Sequence, residues 1–145
     1  MYKFLFPVRA YKSTDFSIFL LALRILVGTL FMLHGIQKWA NFDALSHSFP
    51  DPLLVGSSVS LIMAIFGEVV CSLAFIFGFL YRLSMIPMMF TMIVAFFVIH
   101  SGDPLSSREL SFVYLMLFII MYIPGPGRYS LDRFISGKLI RKNRR

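Results

Sequence analysis

A single cysteine, Cys71, stands in a chain of 145 residues. No internal disulfide can therefore form, and no C-x-x-C redox centre exists within the chain. Charge is equally scarce: 14% of the residues are charged, against roughly 25% in a soluble domain. Period-2 alternation of polar and apolar residues is missing from the apolar stretches. That argues against a small membrane barrel, which would need about eight segments of about ten alternating residues. There are three histidines, and no pair of them shows metal-ligand spacing. Iron–sulfur, flavin and nucleotide motifs are also missing. No A-x-A-like cleavage site follows the first apolar run, which is expected to act as its own uncleaved insertion signal.

What the chain has in abundance is apolar surface: 58% hydrophobic residues, with 17 Phe and 9 Met. It falls into runs of membrane length, since a helix needs about 20 residues to cross a bilayer. Four spans are predicted, at about 16–39, 53–81, 83–101 and 106–123. The expected architecture is an all-α, polytopic four-helix membrane bundle forming one domain over residues 1–145. Met1 to Phe6 is expected to lie on the membrane surface. Ser13, Thr14 and Asp15 are N-cap candidates for the first span, and Ser106 or Ser107 for the fourth. After Gly125-Pro126-Gly127, residues 130–142 are expected to form an amphipathic interfacial helix. Ser130 would cap it, Asp132 would sit near its positive end, and Leu131, Phe134, Ile135 and Leu139 would share its apolar face. Met85, Met88, Met89 and Met92 read as packing.

Charge sets the topology. Lys3, Arg9 and Lys12 precede the first span, Arg82 lies between the second and third, and seven basic residues from Arg128 to Arg145 follow the fourth. Four crossings place all of these on one side and leave only Lys38 and Arg108 on the other. Both termini are thus expected to face the cytoplasm. The basic tail reads as a topology anchor against anionic lipid, and no nucleic-acid partner is expected.

Two charges interrupt the apolar runs, Arg24 in the first and Glu68 in the second. Each costs ~3 kcal/mol at mid-membrane on insertion scales, so such residues face a protein interior or a water-filled cavity. Arg24, Phe31 and Lys38 recur every seven residues, with Gly28 and Gly35 on the same face. That face is expected to point inward, its small residues allowing close helix approach. Counting about 1.5 Å per residue from Asp15 and from Arg82 brings Arg24 and Glu68 to within about 8 Å in depth. The expectation is an ion pair or water-linked pair between them, serving either function or merely helix register. A second polar cluster, His34, Lys38, His100 and Glu109, gathers at the outer helix ends. A metal or a b-type haem suits these residues less well than a quinone. A quinone asks for donors at its carbonyl oxygens, a carboxylate or His to pass protons, and an apolar aromatic groove.

The ordered set of motifs resembles the DoxX-like (DoxX/DoxD) membrane proteins. It comprises Arg24, then His34-Gly35-Ile36-Gln37-Lys38, then Gly67-Glu68, and Gly78 with Arg82. Glu109 and the closing Gly125-Pro126-Gly127-Arg128-Tyr129-Ser130-Leu131-Asp132 complete it. The likeness runs from about Phe16 to Ile135. Phe49 to Leu54 departs from the glycine-containing approach to the second helix expected for that family, and the basic tail from Lys138 extends past its common core. The resemblance implies a protein of the bacterial cytoplasmic (inner) membrane with a quinone-linked redox role, but not that this chain is itself an enzyme. Two functions fit these residues. One is a quinone- or quinol-interacting subunit of a membrane oxidoreductase, in which Arg24, Glu68, His34 and Lys38 polarise the ring oxygens and move protons. The other is a non-catalytic scaffold or assembly partner, in which they only specify packing. A small transporter is less favoured, because no inverted repeat or broken-helix pair is visible. The lipid bilayer and a protein partner or second copy are the expected partners.

Overall fold

The computed structural model describes residues 13–142, with side chains to residue 137. The surface segment expected at Met1 to Phe6 lies outside them. Among the described residues there is helix and no strand. Helix α1 runs Thr14–Ala40, the short α2 Phe42–Leu45, α3 Ser57–Phe77, α4 Tyr81–Ile99 and α5 Leu105–Tyr122, and α6 Leu131–Lys142. Four of these, α1, α3, α4 and α5, are long and apolar enough to cross a membrane. Leu, Ile, Val and Phe cover their outer faces, as a lipid-facing surface requires. The expected spans match these helices to within a few residues, except that α3 is shorter at both ends than 53–81.

Local chemistry explains the boundaries. Ser13 caps α1, its Oγ accepting from the Phe16 amide at 3.3 Å. Helix α3 stops at Gly78, which adopts φ +64°. The Phe79 amide donates to the Ala74 carbonyl at 2.9 Å and the Gly78 amide to the Phe75 carbonyl at 3.1 Å, the paired bonds of a Schellman C-cap. Helix α5 begins one residue before the serines expected to cap it, at Leu105 with Pro104 in the N-cap position. The 3.4 Å bond from the Arg133 amide to Ser130 Oγ bears out Ser130 as the start of α6.

The long helices pack mainly on their sequence neighbours, α1 on α3, α3 on α4 and α4 on α5. The core lies in the half of the bundle nearer the two chain ends. There Phe31 meets Phe118 edge-on at 5.0 Å and Tyr114 at 5.1 Å, and Phe75 stacks on Tyr81 at 5.3 Å. Met85 and Met88 fill the space between and are fully buried, so the methionine stripe is packing. Toward the opposite end, where the loops 41–56 and 100–104 lie, the helices part and a cavity opens.

Candidate functional site

Gly35 is the first requirement of the site. A Cβ there would come within 2.7 Å of Glu68 Cβ and 2.6 Å of Val69 Cγ2. Only a bare backbone lets α1 press against α3 at the depth of Glu68. Glu68 itself lies in a wide π-helical turn, Phe66–Val70, inside α3. Such single-turn insertions recur at functional sites because the extra residue re-aims its neighbours. One turn further along α1, Lys38 reaches back, and its Nζ meets Glu68 Oε2 at 2.5 Å. The Lys38 side chain is 26% exposed and that of Glu68 4%. The carboxylate is therefore buried beneath a cation that reaches toward the loop end.

Around this pair opens a cavity of about 910 Å³. It is lined by α1, α3, α4 and α5, mostly along their loop-end halves, and by the loop before α3. His34 stands on the wall within electrostatic reach of Glu68, its ring edge-on to Tyr114 at 5.9 Å. Tyr114 lines the same cavity. Phe31, Phe66, Phe90 and Ile99 are among the apolar walls. A roomy apolar pocket with a few convergent polar groups is the usual form of a small-molecule site. The roof is Phe49, Pro50, Pro52 and Leu53. It is pinned by Asp51, whose carboxylate accepts from Ser60 Oγ at 2.7 Å, Gly56 N at 2.7 Å and Val55 N at 3.1 Å. The Ser60 bond leads in holding the Asp51 carboxyl below its ordinary value of 3.8.

The expected pairing of Arg24 with Glu68 does not form. Glu68 pairs with Lys38, and Arg24 lies at the level of Gly78, ten residues along α3 from Glu68. The depth count took Asp15 and Arg82 to lie at one level, whereas α1 extends well beyond the end of α3 at Phe77. There its Ser17 and Leu20 pack on Gly127. Arg24 is fully buried and donates through Nη2 to the Tyr129 carbonyl. It belongs to a second polar assembly that closes the opposite end of the bundle. Asp132, rather than serving only its own helix, reaches across to cap α4. Its Oδ1 accepts from the Leu80 amide at 2.7 Å and its Oδ2 from the Tyr81 amide at 2.9 Å. Its own amide donates to the Gly78 carbonyl at 3.0 Å. Burial pushes the Asp132 carboxyl above its ordinary value of 3.8, offset in part by the Tyr81 and Leu80 amides and by the Arg24 charge. Gly78 completes this latch, since a side chain there would collide with the Arg24 guanidinium.

Of the second expected cluster, His34, Lys38 and His100 line the cavity and Glu109 does not. Glu109 is exposed on α5. The His100 ring lies 2.7 Å from Asp103 Oδ2. Among the described residues no group of three or more His, Cys, Asp or Glu side chains could hold a metal ion. Tyr114, the π-helical turn and the cross-helix role of Asp132 were missed from the sequence. For Tyr114 a signal was available: Ser111, Tyr114, Leu115 and Phe118 share one helical face, and it is the buried one.

The DoxX family pattern matches residues 19–101, more than half of the chain. The chain belongs to the DoxX family. Arg24, His34, Lys38, Glu68 and His100 fall inside the matched stretch of this DoxX protein, whereas Tyr114 and the closing latch follow it. Two proteins of Haemophilus influenzae, both described as uncharacterized, are similar to it. One is 27% identical over 81% of this chain and 83% of its own length. The other is 29% identical over 79% and 88%. No solved structure matches the chain.

Proposed function

We propose that this DoxX protein is a quinone- or quinol-interacting subunit of a redox system in the bacterial inner membrane, with both termini cytoplasmic. The observation that carries the reading is the buried Lys38–Glu68 pair at the wall of a largely apolar cavity, with His34 and Tyr114 beside it. The residues fit a quinone headgroup. Lys38 offers ammonium protons to a ring oxygen, and His34 and Tyr114 can each donate a hydrogen bond. Glu68 is a carboxylate able to take up or give a proton, and aromatic and aliphatic walls suit an apolar ring. A bound quinone supplies two-electron, two-proton chemistry; the electrons would come from a partner oxidoreductase. Within this chain Lys38 anchors the headgroup and positions the Glu68 carboxyl, and His34 and Glu68 exchange protons. Arg24, at the far end of the bundle, takes a structural role in the latch.

The test is chemical. Protein purified in mild detergent is extracted with organic solvent and its quinone content measured per chain. Quinone should co-purify with the wild type and fall away in Glu68→Gln and Lys38→Ala variants that stay folded. Folded wild-type protein that remains quinone-free when saturated with quinone would overturn the reading, in favour of a scaffold.

A further inference from the structure

The cavity is not closed on all sides, and where it opens bears on what can occupy it. The loop-end half of α3, Ser57–Ile65, packs chiefly on α1 and α2. The π-helical turn and Cys71–Phe77 are the parts of α3 that pack against α4. The two helices meet where Gly67 lies opposite the Thr91 hydroxyl and Pro87 carbonyl; a Cβ on Gly67 would come within 2.8 Å of Thr91 Oγ1. Beyond that contact, toward the loops, α3 and α4 diverge. Ala64 on one wall and Ala95 on the other both line the cavity. So do Ile62 and Phe66 on α3 and, at the level of the contact itself, Ile86 and Phe90 on α4, each about half exposed on the outer surface of the bundle. A residue that lines a cavity and is also exposed marks a place where the wall gives onto the outside. Here the outside lies within two membrane-spanning helices, so it is hydrocarbon. The axial route is covered by the roof that Asp51 pins to Ser60.

We infer that the α3–α4 gap is a lateral portal to the bilayer, and that the site takes an amphiphile. Its polar ring would sit by Lys38, Glu68 and His34, and its long apolar chain would leave between Ala64 and Ala95 along Phe66 and Phe90. The inference rests on the quinone reading and narrows it to long-tailed quinones delivered from the membrane. Small side chains at 64 and 95 keep the gap open. The half-exposed aromatic and aliphatic residues outside it give the chain a groove in place of lipid.

The experiment compares two probes on the full chain in lipid nanodiscs: a long-tailed isoprenoid quinone and the same benzoquinone headgroup without its tail. The variant is the pair Ala64→Phe with Ala95→Phe, and Met63→Trp serves as a second, independent obstruction. Melting temperature reports that each is folded. Retention of the long-tailed quinone after re-isolation of the nanodiscs should fall by about tenfold or more in the obstructed variants. Binding of the headgroup alone, read as quenching of Trp39 fluorescence in the double Phe variant, should fall far less than retention of the long-tailed quinone. Undiminished retention of the long-tailed quinone in folded obstructed variants would overturn the portal, and so would parallel loss of both probes. Failure of the wild type to bind either probe would instead overturn the quinone reading itself.

Discussion

Asp132→Ala removes a side chain that joins α6 to the start of α4, and its cost can be worked from the bonds it makes. Two backbone amides, Leu80 and Tyr81, lose their acceptor at once. The second is fully buried, as is Asp132 itself. A buried donor left unsatisfied costs about 1–3 kcal/mol, so the pair should cost about 3 kcal/mol once partial solvation of Leu80 is allowed for. Asp132→Asn keeps the shape and one acceptor oxygen, and it avoids the burial penalty on a carboxylate. It should cost about 1 kcal/mol. Two measurements check this. Equilibrium unfolding in mixed detergent micelles should rank wild type, Asn and Ala in that order. Amide hydrogen exchange should accelerate at Leu80 and Tyr81 by about a hundredfold in the Ala variant, since each 1.4 kcal/mol is a factor of ten. Exchange at these two amides that is no faster in Asp132→Ala would refute the cross-helix cap.

Other predictions follow from the same geometry. Lys38→Met leaves Glu68 buried without its cation and should cost about 3 kcal/mol, and Lys38→Met with Glu68→Met should recover much of it in unfolding experiments. Gly35→Leu should lower both melting temperature and quinone retention by forcing α1 off Glu68 and Val69. Gly102→Ala, with nothing within 4 Å of its added carbon, should change neither. The Asp51 carboxyl is held below its ordinary value of 3.8, so its contribution to the roof is fully present above that value. It is lost as pH falls through the depressed one. Proteolysis within residues 49–56 should rise at that acid limb, and Ser60→Ala should move the rise to higher pH.

The sequence went far toward this fold because its strongest signals are long-range averages. Apolar runs of membrane length and the basic bias of alternate loops survive local uncertainty, and the seven-residue recurrence of Arg24, Phe31 and Lys38 with Gly28 and Gly35 marked the inward face of α1. Arg24, Gly28, Phe31 and Gly35 are indeed buried. The pairing of charges was not legible, because it depends on axial register. Register was fixed by how far α1 runs past the end of α3: Arg24 stands level with Gly78, which leaves Glu68, ten residues further along α3, out of its reach. The π-helical turn carries no periodic mark in Phe66-Gly67-Glu68-Val69-Val70. Asp132 looked like an ordinary first-turn acid, because the amides it caps lie some fifty residues away.

The claim on which the proposed function turns is that a quinone ring sits beside Lys38 and Glu68. A photoreactive long-tailed quinone, activated on the protein in nanodiscs and located by peptide mass spectrometry, asks that question directly. Labels are expected on α1 near His34 to Lys38 and on α3 near Ala64 to Glu68, competed away by unlabelled quinone. Label that resists competition, or that falls on the Arg24–Asp132 end of the bundle, would contradict it.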